Sequence, residues 1–137
     1  MRLTIFCNHF RAMSEHKTCE AGCSYDDFKG MGFDKQPCFM KNGIKRPGCD
    51  KAEFPTPEEI AAEDAEIHRS MENISKARQA IVAHLGGPWV RNHTPGATGV
   101  IDCPVCGAKQ SLRFTRAGYN GHIHAGCTTK ECVGWME

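Results

Sequence analysis

A chain of 137 residues with 17 Lys/Arg against 16 Asp/Glu has room for one ordinary domain or two very small ones, and its near balance excludes a global field aimed at nucleic acid or a membrane surface. No run of about 18 apolar residues is present to span a bilayer, and the opening MRLTIFCNHFRAM lacks the apolar core of a secretory signal. A reducing cytoplasm is therefore the expected compartment, where nine cysteines, an odd number, point to metal ligation rather than disulfides.

Charge is uneven along the chain: residues 1–55 are net +2, residues 56–86 net −3 and residues 87–137 net +2. Residues 1–55 hold five of the cysteines and little hydrophobic periodicity. KGMGFDKQP (29–37) and KNGIKRPG (41–48) read as turns, because Gly and Pro supply the backbone angles turns need. This segment is expected to be an irregular zinc-binding lobe. Cys19 and Cys23 form a C-x3-C pair at ligand spacing, to be completed by two of Cys7, Cys38 and Cys49; the set Cys7, Cys19, Cys38 and Cys49, each closing one loop, competes with it. His9 is an alternative to Cys7, or a donor that supports a ligand from behind. An iron–sulfur cluster also takes four cysteine thiolates, but neither a C-x2-C-x2-C nor a C-x4-C-x2-C run occurs.

Residues 56–86 predict one long α-helix. Thr56 is the N-cap, Pro57 takes the first helical position and Glu59 completes a capping box. The following run is alanine-rich and free of Gly and Pro until Gly86 stops it. Ile60, Ile67, Ile74 and Ile81 recur every seven residues, with Met71 and Leu85 on the same stripe. Two uses of the stripe are open: packing within the chain, or a homodimer through the helix 57–85. In the dimer the second core position would hold Asp64, Met71, Arg78 and Leu85, two of them charged, which favours packing within the chain.

Residues 87–102 read as a linker, since GGPWVRNHTPGATGV (86–100) contains four Gly and two Pro. In residues 103–137, Cys103 and Cys106 form C-x2-C and Cys127 and Cys132 form C-x4-C, with twenty residues between the pairs. Two turns that each carry two thiolates supply the opposite edges of a zinc tetrahedron. Leu112, Phe114 and Ile123 alternate with polar residues on either side of AGYNG, which is a β-hairpin pattern. The expected fold is thus small α+β and metal-stabilised: zinc-binding lobe (1–55), central helix (56–86), linker (87–102) and a zinc ribbon (103–137), with two zinc ions per chain. Four thiolates fill a zinc ion's coordination sphere, so a hydrolytic metal is not expected. Arg113, Arg116, Tyr119, His122, His124 and Lys130 crowd this segment, and cations with flat rings are what phosphates and bases attract.

The pattern C-P-x-C, then RFTR, an aromatic residue and C-x4-C resembles the Ogr/Delta-type zinc finger of small phage late-transcription activators, over roughly residues 103–135. It is similar, more loosely, to the zinc ribbons at the tail of bacterial type I topoisomerases. The resemblance places the ligands on Cys103, Cys106, Cys127 and Cys132, and implies contact with DNA or host RNA polymerase in a bacterial cytoplasm. The intervening loop differs in length, and YNGHIHAGC belongs to neither pattern. The segments CNHF, CEAG, PCF and CDKAEFPT resemble small phage and prophage proteins, a likeness that implies the set Cys7, Cys19, Cys38 and Cys49 with Cys23 as substitute.

The expected function is non-enzymatic: a phage or prophage regulator of transcription or host defence that contacts DNA or a host nucleic-acid machine. The alternative is a protein-binding inhibitor or adaptor without nucleic-acid contact. No Ser/His/Asp set or phosphate-cradling Gly loop is present, His84, His93 and Asp102 are scattered, and Cys23 with His9 or His16 as base has no motif behind it.

Overall fold

The computed structural model of the chain describes residues 4–11, 19–28, 30–32 and 35–137; His16 and part of the 29–37 turn lie outside them. Among the described residues it is a small α+β protein with one α-helix and two antiparallel sheets. The chain divides into two compact units, residues 1–61 and 62–137.

In the first unit, β1 (Thr4–Phe6) pairs with β2 (Phe39–Lys41), Ile5 opposite Met40 and Phe6 opposite Phe39. At the end of β2, Lys41 bridges Ile44 across Asn42 (φ 51°) and Gly43 (φ 76°), a two-residue turn that needs left-handed backbone at both positions and so selects Asn-Gly. A 3-10 turn at Tyr25–Phe28 brings Phe28 against Cys38 and Phe39. Phe6, Phe10, Tyr25 and Phe39 contact one another ring to ring at 5.1–5.7 Å, and the Tyr25 hydroxyl donates to the Arg11 carbonyl at 3.1 Å. Offset and edge-on aromatic pairs of this kind supply the burial that the polar sequence lacks.

The helix α1 (Pro57–His84) starts as its residues require. The Glu59 N–H donates to the Thr56 hydroxyl at 3.2 Å, and the Thr56 N–H donates to the Glu59 carboxylate at 2.8 Å, so the capping box is complete. At the other end the Gly86 and Gly87 N–H groups return to the Ala83 and Val82 carbonyls at 3.1 and 3.0 Å.

The second unit builds a four-stranded sheet in the order β3 (Ala97–Ile101), β4 (Leu112–Arg116), β5 (Ile123–Cys127), β6 (Gly134–Trp135). β3 lies inside the segment expected to be a linker. ATGVI is too rich in small residues to announce a strand, and it becomes one because β4 supplies a partner for all five positions. One face of the sheet carries Ile101, Leu112, Phe114 and Ile123 onto Ala77 and Ile81 of α1, which makes the core of this unit. Gly99 stands opposite Phe114, and a Cβ there would lie 2.7 Å from the ring, so the absent side chain is what lets the phenyl group lie across the strand. Only part of the helical stripe is used: Ile81 is fully buried, while Ile67 and Met71 are exposed.

Candidate metal centre and exposed sheet face

Cys103 leaves β3 after a single residue and opens a tight loop. The Gly107 N–H donates to the Cys103 carbonyl at 2.8 Å, and the Cys103 N–H donates to the Ala108 carbonyl at 3.0 Å. Gly107 holds φ 75°, which lets the chain turn directly after Cys106. Asp102 fastens the base of this loop: its carboxylate accepts the Gln110 N–H at 2.9 Å and pairs with Lys109 Nζ at 2.7 Å. Cys127 closes β5, its N–H donating to the Val133 carbonyl at 2.8 Å, and the turn to Cys132 carries Thr129.

These elements gather four sulfurs. Cys103 Sγ lies 3.6 Å from Cys132 Sγ, Cys106 Sγ lies 3.7 Å from Cys127 Sγ, and all four are within 4.8 Å of one another. Four bonds of about 2.3 Å to a tetrahedral ion put neighbouring sulfurs about 3.8 Å apart. The cluster fits a metal ion of that geometry and supplies only sulfur donors. Cys103 is buried against the core, and Cys106 is exposed.

The surroundings prepare the thiols unequally. Burial pushes the Cys127 thiol up, but the Ser111 hydroxyl, the Thr129 hydroxyl and the Thr129 N–H outweigh it and bring it down to about 6. Cys106 is also lowered, by the Thr129 hydroxyl first. Cys132 is pushed far up, by burial first and then by hydrogen bonds with the other three sulfurs. Cys127 is thus ready as a thiolate near neutral pH, whereas a cation must displace the proton of Cys132, so metal affinity falls with acidity. Since Cys127 lies below the ordinary thiol value of 9.0 in the folded protein, its ionisation favours the fold fully above that value, and the contribution is gone once pH falls through about 6. Ser111→Ala should move the lower edge of this window upward, read as a rise in the pH at which bound metal is half released.

The five N-terminal cysteines are less tightly gathered: among the described residues only the C-terminal four form a complete metal-sized group. Cys23, expected as a substitute, sits 3.7 Å from Cys49 sulfur to sulfur, and its N–H donates to Cys19 Sγ at 3.4 Å. The contact with Cys49 is the main reason the Cys23 thiol rises to about 11. The Cys7 N–H donates to the Cys38 carbonyl at 2.9 Å, one step beyond the β1–β2 ladder, so the two residues face each other. Burial, and then the charges of Cys7, Cys49 and Cys19, push the Cys38 thiol up. His9 Nε2 lies 3.4 Å from the Glu53 carboxylate.

The predicted contact residues divide. Arg113 and His124 lie on the sheet face turned away from α1, beside Thr98, Val100 and Thr115; Val100 is paired with Arg113, and Thr115 stands between Thr98 and His124. No strand residue on this face is a carboxylate. Gly126 and Gly134, next in line after Arg113, leave open floor beside it. Tyr119 is 82% exposed in the β4–β5 turn, and His122 and Lys130 are exposed in the flanking loops. Arg116 is different: it shares the parity of Leu112 and Phe114, faces the core side and is 5% exposed. The supporting roles of Asp102, Ser111 and Thr129 escaped the sequence reading, which weighed Asp102 only with His84 and His93, although an Asp just before C-P-x-C and hydroxyls near the cysteine pairs were visible signs of support for the sulfurs.

No family model, no curated protein and no solved structure matches this chain. Among the described residues no helix is long and apolar enough to cross a membrane.

Proposed function

We propose that this protein is a non-enzymatic, zinc-stapled binding module whose second unit is a zinc ribbon presenting its open sheet face to nucleic acid. The observation that carries the reading is that face: Arg113 and His124 with Thr98 and Thr115, no carboxylate among its strand residues, and glycines that keep it flat. Cations without nearby anions attract phosphates, and hydroxyls hydrogen-bond to them. Zinc is the ion that four thiolates in a tetrahedron suit best, and with its sphere filled by protein it organises the fold instead of activating water. A second zinc belongs to the N-terminal unit, and the closeness of Cys23 to Cys49 supports a ligand set that includes Cys23. The likeness to phage late activators suggests a setting in bacterial transcription or host defence.

Fluorescence anisotropy with the zinc-loaded chain tests the reading on single-stranded and duplex oligonucleotides across a salt series. Arg113→Gln should weaken binding several-fold and lower the salt slope by about one unit. Absence of salt-dependent binding to either probe at low ionic strength overturns it. The rival, an adaptor for a host protein, draws on the net charge of only +1 and on exposed Val100 and Tyr119.

A further inference from the structure

Arg116 is the one arginine of the second unit held inside it, and among the described residues no carboxylate lies within ion-pair distance of it. It is 5% exposed, its Nη1 reaches the Gly87 carbonyl at a long 3.4 Å, and its Nε has no partner among the described residues. A guanidinium keeps its charge in proteins, and burying one without a counter-charge is strongly unfavourable. The Gly87 carbonyl, three residues beyond the end of α1, is a neutral acceptor and supplies no counter-charge.

The side chain lines a partly enclosed cavity of about 210 Å³ between the end of α1, the segment after it and the β4–β5 turn. Val82, Trp89 and Ile123 wall it; Arg78, Arg116 and Asn120 are its polar groups. The walls are fixed. The Trp89 Nε1–H donates to the Gly118 carbonyl at 3.1 Å, and its ring packs so closely on Gly121 that a Cβ there would come within 2.6 Å of it. Asn120 Oδ1 accepts the His122 N–H at 3.1 Å, which leaves the amide nitrogen, a donor, for a ligand. The Glu137 carboxylate is already divided between Arg78 Nε at 2.8 Å and the Ile123 N–H at 2.9 Å. The cavity therefore gathers donors from three separate elements, two of them cationic, with one carboxylate at Arg78.

We infer that this cavity binds a phosphate monoester, with Arg116 and Arg78 taking the charge and the Asn120 amide the remaining oxygen. A dianion with three acceptor oxygens satisfies the buried Arg116 and matches a donor set drawn from three sides. The same chemistry is offered by a free mononucleotide and by the 5′-phosphate of a strand. The site is distinct from the open sheet face and does not need it.

Calorimetric titration of the zinc-loaded full chain in phosphate-free buffer tests this with inorganic phosphate, adenosine 5′-monophosphate, acetate, and one oligonucleotide carrying either a 5′-phosphate or a 5′-hydroxyl. Phosphate and the monophosphate should bind measurably and acetate much more weakly. Arg78→Gln should weaken phosphate binding by about tenfold, whereas Lys76→Gln on the same helix should leave it unchanged. Glu137→Gln removes the competing carboxylate and should tighten it, a direction that a purely structural role for these residues would not produce. Arg116→Gln should abolish binding; if that variant does not fold, Arg78→Gln and Glu137→Gln carry the test. A preference for the 5′-phosphorylated strand over its hydroxyl form assigns the source to strand ends, and equal binding of the two strands assigns it to free nucleotides. No phosphate binding by the folded protein, equal affinity for acetate, or indifference to both Arg78→Gln and Glu137→Gln overturns the inference.

Discussion

Stripping the metal should unfold residues 62–137. The core of that unit is small: Ala77, Ile81, Ile101, Cys103, Leu112, Phe114 and Ile123 are its buried hydrophobic residues, and one of the seven is itself a member of the four-cysteine cluster. Burial on that scale leaves a short unit marginal or worse. A structural zinc held by four thiolates has an apparent binding free energy of about 10–16 kcal/mol near neutral pH, and because the unfolded chain has no preformed site, most of that is folding energy. Chelation should therefore abolish cooperative thermal unfolding of this unit, followed by near-ultraviolet circular dichroism, and readdition of zinc should restore it. Cys103→Ser should have the same effect at every zinc concentration that keeps the parent protein folded. Mass spectrometry of the released metal should count two equivalents per chain if the N-terminal thiols hold a second ion. A chelated protein that still melts cooperatively, with all nine thiols free, would falsify the zinc-stapled reading.

The second large effect concerns α1. Ile81→Ala should cost about 2–5 kcal/mol, because Ile81 is fully buried among Ala77, Leu112, Phe114 and Ile123, and rigid strands around it limit how far the gap can close. Ile67→Ala, at a residue of the same type two heptads earlier and 43% exposed, should change stability by no more than about 0.5 kcal/mol. Denaturant melts of the two zinc-loaded variants check the contrast. If Ile67→Ala is as costly as Ile81→Ala and the midpoint falls on dilution, a second copy of the chain covers Ile67 and Met71, and the homodimer through the helix gains the support it now lacks.

The contrast between these two isoleucines shows where the sequence stops speaking. Heptad spacing makes Ile60, Ile67, Ile74 and Ile81 equivalent, and nothing local says that the sheet covers only the end of the stripe near Ile81. The helix itself was legible because its signals are local: Thr56 and Glu59 complete each other's hydrogen bonds as their spacing requires. The four C-terminal sulfurs were legible because ligand pairs at short spacing have few other uses. β3 was not, since Gly99 and its small neighbours form a strand only when β4 arrives from elsewhere in the chain. The place of Arg116 was half legible. Alternation through LRFTR puts it on the side of Leu112 and Phe114, but a cation at a core-facing position invites the opposite reading. In the N-terminal unit, spacing identified Cys19 and Cys23 as a pair, and only the fold sets Cys23 beside Cys49.

Cys127 is the last residue of β5 and lies directly opposite Leu112. Side chains on a strand alternate in direction, so sliding β5 along β4 by a single residue would swing that sulfur to the far side of the sheet, away from Cys103, Cys106 and Cys132. A cation held by all four sulfurs would therefore favour the correct strand alignment, because a misaligned hairpin offers it three ligands in place of four. An ion first captured by the local pair Cys103 and Cys106 would complete its coordination only in the one alignment that brings Cys127 to it.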